Sequence, residues 1–421
     1  MIMTDASTGD TAIRPFRVDF AGETLEDLRR RIAETRWPGR ELVGDASQGV
    51  QLATLQALAA YWAGEHDWRK AEAKLNALPQ FKTEIDGLGI HFVHVKSPHE
   101  NALPLIITHG WPGSVIELLE VVGPLTDPTA HGGSAEDAFH VVLPSIPGYG
   151  FSDQPRELGW DADRTARAWA VLMQRLGCSR YVAQGGDAGA SITDAMARQA
   201  PDGLVGIHLN FLVAFPLDVL AGAFGGLAPP PGLFKRVAVA VLGAHAEKKE
   251  PTALDALTAL FRRGYIVEMP EHPQTVGYAL MDTPVGLAAW MLDHDADSYE
   301  KISRAFVDGH PSGGLTRDRI LDNITLYWLT GTATSSARAY WENFRTQTAA
   351  VAAGKKPPKV SIPVAFTVFP DEIFQAPRHW AEKVYPNLVY FNEADRGGHF
   401  AAWEEPQLFT EELRAAFSSL R

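Results

Sequence analysis

Short apolar runs, bounded by turn residues and separated by stretches of helical periodicity, constrain this chain more than any other feature. They run from Leu103 to Thr108, Phe139 to Leu143, Tyr181 to Gln184, Leu204 to Leu209, Val364 to Phe369 and Leu388 to Phe391. Strands that alternate with helices build βαβ units, so the expected fold class is α/β, a mostly parallel sheet with helices on both faces. In such sheets ligands bind beyond the carboxyl ends of the strands. The residues that follow each run therefore matter most.

The rest of the chain departs from this alternation in two places. Over residues 1–80 the pattern is helical: Leu25, Leu28 and Ile32 recur at helical spacing behind Thr24 and Asp27, which stand as in a capping box. Arg29, Arg30 and Arg31 then form the solvated face, and Pro38 ends the helix. A second helix fits Leu52 to Trp62, with Trp68 and Leu75 continuing the apolar theme, and no strand is expected in this N-terminal helical extension. Residues 81–212 carry the first part of the core, opening with a hairpin from Phe81 to Val95 around the turn dipeptide Asp86-Gly87. Over residues 213–343 the alternation lapses again. This stretch opens with an apolar, turn-rich segment containing Pro229, Pro230 and Pro231 and continues with helical patterns. At about 130 residues it is too long for a loop and reads as a helical lid insertion. Residues 344–421 return to the core through a basic, proline-containing connector from Gly354 to Lys359.

Charge and cysteine usage remove several function classes. Lys and Arg total 38 against 51 Asp and Glu, a net charge of −13, which disfavours a grip on nucleic-acid phosphates or on anionic membranes. The expected partner is a small or neutral molecule. Cys178 is the one cysteine, so no intrachain disulfide is possible, and its place at a helix end suits packing. The first residues lack a basic stretch followed by an apolar one, and no apolar run approaches the length of a membrane span, so a soluble, cytoplasmic protein is expected. A homo-oligomer is left open. His91 and His94 lie three apart on a strand and so face opposite sides, which argues against a metal there.

The most informative heptapeptide, Gln184-Gly185-Gly186-Asp187-Ala188-Gly189-Ala190, follows a strand and precedes a helix. It has the form of a nucleophile elbow, with aspartate where serine hydrolases carry serine. Glycines flank the turn because a Cβ there would clash as the chain doubles back. An aspartate is anionic at neutral pH and suits displacement at an sp³ carbon, giving an alkyl ester of the enzyme. Hydrolysing that ester needs a base oriented by an acid. His399, in Arg396-Gly397-Gly398-His399-Phe400, is the candidate base, and Glu372, in Phe369-Pro370-Asp371-Glu372, the candidate acid. The order nucleophile, acid, base is that of α/β-hydrolases. After the run from Leu103, the turn His109-Gly110-Trp111-Pro112-Gly113-Ser114 can aim the backbone N–H of Trp111 at the point reached by the N–H of Ala188, an oxyanion hole. The His109 side chain is expected to brace its own loop.

Taken together, HGWPGS (109–114), GYGFSDQP (148–155), GGDAGA (185–190) and RGGHFAAWEEP (396–406), with RPFRVDF and TRWPG near the start, resemble the microsomal-type epoxide hydrolases over nearly the whole chain. The resemblance implies an α/β-hydrolase fold with a helical lid and an N-terminal extension, no cofactor, and opening of an epoxide to a vicinal diol. It also implies two lid tyrosines donating to the epoxide oxygen. The matching positions are Tyr265 and Tyr340, with Tyr278 the nearest rival. Glu372, not Asp371, inherits the acid's role, and Asp371 is expected to face solvent. Tyr149 and Phe151 are expected to shape the pocket floor, and Glu404 and Glu405 to start a helix before Pro406. The membrane anchor of the microsomal relatives has no match here and is not expected. Ala188 stands where many relatives have tryptophan, which alters the pocket wall and counts against a haloalkane dehalogenase.

The expected activity is therefore epoxide hydrolysis in two steps through an aspartyl ester on Asp187, acting on a small lipophilic epoxide. Charge-poor segments such as Ala214 to Leu233 suit such a substrate. Two alternatives remain open at this level: a dehalogenase using the same aspartate, and a catalytically silent protein that captures an apolar ligand beneath its lid.

Overall fold

Each of the six apolar runs forms a strand whose ends match within two residues. The computed structural model describes residues 11–215, 250–355 and 357–421. Among these residues the strands are β1 (Arg14–Pro15), β2 (Gln80–Ile85), β3 (Leu88–Val95), β4 (Leu103–Thr108), β5 (Phe139–Pro144), β6 (Tyr181–Gly185), β7 (Leu204–Leu209), β8 (Val364–Val368) and β9 (Leu388–Glu393). They join in one sheet of order β1-β2-β3-β5-β4-β6-β7-β8-β9. The pairs from β1 to β5 are antiparallel, and all pairs from β5 through β4 to β9 are parallel.

Alternation along the central strands divides the core. Ile106, Val142 and Ala183 pack on one face with Trp169 and Leu172 of helix Ala162–Arg175 and Ile192 and Met196 of helix Asp187–Gln199. Leu105, Ile107, Val141 and Val182 point to the other face. There they meet Val121 and Leu125 of helix Leu119–Thr126 and Phe409, Leu413 and Phe417 of helix Pro406–Phe417. Both faces are thus dry, as apolar strands without polar alternation require.

The N-terminal extension contains helices Gly22–Ala33, Leu52–Gly64 and Trp68–Asn76, but also strand β1, which the sequence pattern does not reveal. Arg14 and Pro15 pair with Lys82 and Phe81 at the edge of the hairpin. Two residues are too short to show periodicity; the ladder with β2 makes them a strand. The first helix starts at Gly22 after Ala21, so Thr24 lies inside it and caps nothing. Asp27 instead binds Arg30 at 2.5 Å and Arg31 at 2.8 Å. Phe151 also departs from expectation: it packs on Phe16 and His91, at ring distances of 5.3 and 5.0 Å, and so joins the extension to the hairpin. His91 itself is buried between Ser145 and Gln80, with its pKa driven down to about 3 by burial and the nearby Lys82 charge.

Between β7 and β8 lie helices Glu250–Leu260, Gly264–Glu271, Pro273–Asp282, Pro284–Leu292, Ala296–Val307, Arg317–Thr330 and Ala333–Ala352. The last runs past position 343 because its turn-by-turn pattern continues unbroken. Pro229, Pro230 and Pro231 and most of the charge-poor stretch from Ala214 to Leu233 lie outside the described residues. The extension supports this helical layer from behind. Trp62 donates to Thr325 Oγ1 at 2.9 Å, Tyr61 to Asp318 at 2.9 Å, and His66 meets Asp322 at 2.8 Å. Among the described residues no helix is long and apolar enough to cross a membrane.

Candidate active site

The turn after β6 is sharp enough to force Asp187 into the left-handed region, with φ 47°. A non-glycine residue there is strained and persists only where its surroundings over-determine it. Two glycines allow the turn. A Cβ on Gly185 would fall 2.1 Å from the Gly189 carbonyl oxygen, and one on Gly189 would fall 2.0 Å from that of Thr108. Asp187 is thereby placed at the first position of helix Asp187–Gln199, its side chain 16% exposed.

Because β4 lies beside β6, the turn after Thr108 reaches the elbow. The Trp111 N–H donates to Asp187 Oδ1 at 2.8 Å. The Ala188 N–H lies in the first helical turn, where backbone donors have no partner within the helix. His109 braces the loop as expected: Nδ1 contacts the Gly110 carbonyl at 3.1 Å, and Nε2 accepts from the Ile146 N–H at 3.3 Å. Burial lowers its pKa to about 4, so the ring is neutral.

The loops after β8 and β9 are joined at their bases, the Asp371 N–H donating to the Gly397 carbonyl at 3.0 Å. This brings Glu372 Oε1 to 2.6 Å from His399 Nδ1, while His399 Nε2 faces Asp187 Oδ2 at 3.7 Å. Burial opposes a charge on His399, yet the Glu372 and Asp187 carboxylates outweigh it and raise the pKa to about 10. Asp371 is partly exposed and binds Lys301 at 3.0 Å. Glu404 is not the start of a helix. It ends helix Ala401–Glu404, is buried, and meets the same Lys301 at 2.7 Å.

Above this group stand the two lid tyrosines. The Tyr265 ring lies 4.9 Å from that of Trp111, and Tyr340 packs edge-on to both at 6.2 Å. Burial first, then the Asp187 charge, raises both phenols well above their ordinary range, so each keeps its proton. Tyr278 is 71% exposed and takes no part. Tyr149 is buried near the site, its hydroxyl donating to the Ser336 carbonyl at 3.2 Å.

Two groups were not foreseen from the sequence. Glu117, on the turn that follows Ser114, lines a cavity of about 30 Å³ together with Thr108, Gln184, Asp187, Asn210 and His399. That volume suffices for one or two waters among polar partners. Burial raises the Glu117 carboxyl to about 8. His294 is buried against Tyr265 and His399, at ring distances of 4.9 and 4.4 Å. Neither belongs to a recognisable motif. Glu117 has only its nearness to HGWPGS as a signal, and His294 sits among acids in Asp293-His294-Asp295-Ala296-Asp297.

Comparisons with known proteins agree with this architecture. Residues 13–118 match the family model described as epoxide hydrolase N terminus, and residues 104–218 that of the alpha/beta hydrolase fold. Epoxide hydrolase 1 of Sus scrofa is 38% identical, the match covering 97% of this chain and 89% of its own length. The crystal structure of juvenile hormone epoxide hydrolase from Bombyx mori superposes with a TM-score of 0.80 at 31% identity, covering 98% of this chain and 96% of the other. Aspergillus niger epoxide hydrolase does so with 0.78 at 28% identity, covering 99% and 98%.

Proposed function

This chain belongs to the epoxide hydrolase family and converts an epoxide and water to a vicinal diol; within that reaction we propose that Asp187 is the nucleophile, His399 the base, Glu372 its orienting acid, and Tyr265 and Tyr340 the proton donors. The observation that carries this assignment is the division of labour between the two Asp187 oxygens. Oδ1 is held by the Trp111 N–H, whereas Oδ2 faces His399.

In the first step a carboxylate oxygen of Asp187 attacks an epoxide carbon. The C–O bond of the ring breaks, and the departing oxygen takes a proton from a lid phenol. A phenol kept protonated by burial suits an alkoxide-like leaving group. In the second step His399 draws a proton from water, and the resulting hydroxide adds to the ester carbonyl. Negative charge then develops on the oxygen held by Trp111, joined by the Ala188 N–H. The tetrahedral species releases the diol and restores the carboxylate. Esterification itself prepares the base, because it removes the Asp187 charge that holds a proton on His399.

The walls around His399 are aromatic. Phe211 lies 5.8 Å from its ring and 5.1 Å from Phe374, which Phe215 meets at 5.6 Å. A lipophilic epoxide fits these surroundings. A dehalogenase would have no use for two phenols beside the nucleophile, and a silent binder none for an acid and a base in series.

One turnover in ¹⁸O-water tests the assignment. The label is expected in the peptide that contains Asp187, since the diol leaves with an oxygen from the enzyme. With His399→Gln the alkylated peptide should accumulate. Label confined to the diol, with an unlabelled Asp187 peptide, would refute the covalent route.

A further inference from the structure

Two histidine–carboxylate pairs meet at this site, and the proposed mechanism uses one. Glu372 holds His399 Nδ1 at 2.6 Å, and Asp295 Oδ2 holds His294 Nδ1 at 3.0 Å. The two imidazoles lie with centroids 4.4 Å apart and their planes tilted by 45°. His294 is 1% exposed, and its Nε2 has no hydrogen-bond partner among the described residues. Buried polar atoms of this kind call for an explanation. A ring nitrogen of each histidine and a carboxylate oxygen of Asp187 all lie within 4.8 Å of one another, a span that one water bridges. His294 also stacks on Tyr265 at 4.9 Å and 28°.

We propose that His294, anchored by Asp295, is a second acid–base residue of this active site, which takes up the proton His399 must shed once Asp187 is esterified and passes it to Tyr265. The inference rests on the assignment of Asp187 as nucleophile. Attack consumes the phenol proton, leaving a tyrosinate, while His399 still carries the proton that its resting counter-charges favour. His399 cannot serve as a base until that proton leaves, and the tyrosinate needs one. Moving a single proton from His399 to His294 Nε2, the nitrogen Asp295 leaves free, and from there through a bridging water to the Tyr265 oxygen satisfies both and changes no net charge. In the second step His399 takes a proton from water, and the diol oxygen takes the proton of the newly formed Asp187 acid. The starting state returns.

The charges around His294 set the direction. Asp295 faces it from the same turn, its other oxygen held at 2.7 Å by the Ser298 N–H. His399 and Asp187 face it from the core, and Tyr265 from helix Gly264–Glu271. Asp187, Asp295 and Glu372 raise the Tyr265 phenol further, and Arg263 opposes them. In the resting site burial, then the His399 charge, lowers the His294 pKa, so the proton rests on His399. Two imidazolium rings this close are unfavourable, and the pair titrates as a unit. Loss of the Asp187 charge takes a counter-charge from both rings and leaves each with one carboxylate on Nδ1.

The test measures the two steps separately by rapid quench with styrene oxide, in the wild type and in His294→Phe, which keeps a ring against Tyr265, and His294→Gln. Alkylation of the Asp187 peptide is expected within about threefold of wild type. Ester hydrolysis should slow by about 10²-fold, as befits loss of an acid–base group, and recover as pH rises. Alongside, ¹⁵N NMR of the imidazoles in Asp187→Asn, confirmed by mass to retain the amide, mimics the neutral ester. The neutral-pH proton should there reside on His294. Unchanged ester hydrolysis, equal slowing of both steps with the same pH dependence, or an imidazolium fixed on His399 in Asp187→Asn would each overturn the proposal. Absence of an alkylated peptide in the wild type would instead overturn the nucleophile assignment.

Discussion

A Cβ built on Gly110 would fall 2.3 Å from Asp187 Oδ1, so the turn after β4 is pressed against this carboxylate with no room for a side chain. That closeness lets the next residue, Trp111, donate its backbone N–H to the same oxygen at 2.8 Å. The carboxylate is held with one oxygen in the donor's grip and the other turned to His399.

Gly110→Ala should therefore push Asp187 off line without removing any catalytic group. A displacement of about 1 Å can cost about 10²-fold, and kcat/KM should fall by that order with the far-UV circular dichroism unchanged. Activity within threefold of wild type would show that the carboxylate does not need this position.

Tyr265→Phe and Tyr340→Phe remove a hydroxyl each and leave their rings on Trp111. Each change should slow alkylation of Asp187 by about 10²-fold and spare ester breakdown more, because in the proposed mechanism the phenols act when the epoxide oxygen departs. The double variant should alkylate far more slowly than either single one. Rapid-quench measurement of the alkyl-enzyme checks this, and an unaltered alkylation rate in the double variant would remove the phenols from the mechanism.

Glu117 gives a stability prediction with a definite sign. Its folded carboxyl titrates near 8, above the ordinary value of 4.5, because burial disfavours the charge. The folded protein thus holds a proton that the unfolded chain releases between those values, and this contribution to stability is complete below about pH 4.5 and lost as pH rises to about 8. Glu117→Gln should raise Tm relative to wild type at pH 8 and leave it nearly unchanged at pH 4. A difference independent of pH would contradict a neutral, buried acid.

Lys301, from helix Ala296–Val307, binds Asp297 at 2.6 Å, Asp371 at 3.0 Å and Glu404 at 2.7 Å. It ties the lid to the loops that carry Glu372 and His399. Lys301→Met would leave Glu404 buried without its cation, at a cost of about 3 kcal/mol. Urea unfolding should show that loss together with a lower kcat. A change below about 1 kcal/mol would mean that Glu404 finds water or another partner on losing the lysine.

What the sequence by itself determined is local. Runs such as Leu103 to Thr108 and Leu204 to Leu209 announce buried strands because a strand dry on both faces needs only apolar residues. The glycines around Asp187 announce a turn no bulky residue could make, and the order Asp187, Glu372, His399 follows from which strands carry loops at their ends. Tertiary structure decided the rest. It turned Arg14 and Pro15 into a strand through β2, moved Phe151 from the pocket to the extension, and left Tyr278 on the surface. It also placed His294 between Tyr265 and His399 and set Glu117 in the cavity beside Asp187. The reason is physical: burial and partners shift a carboxyl or an imidazole, and both come from residues distant along the chain, so a single His or Glu carries no mark of its role until the fold surrounds it.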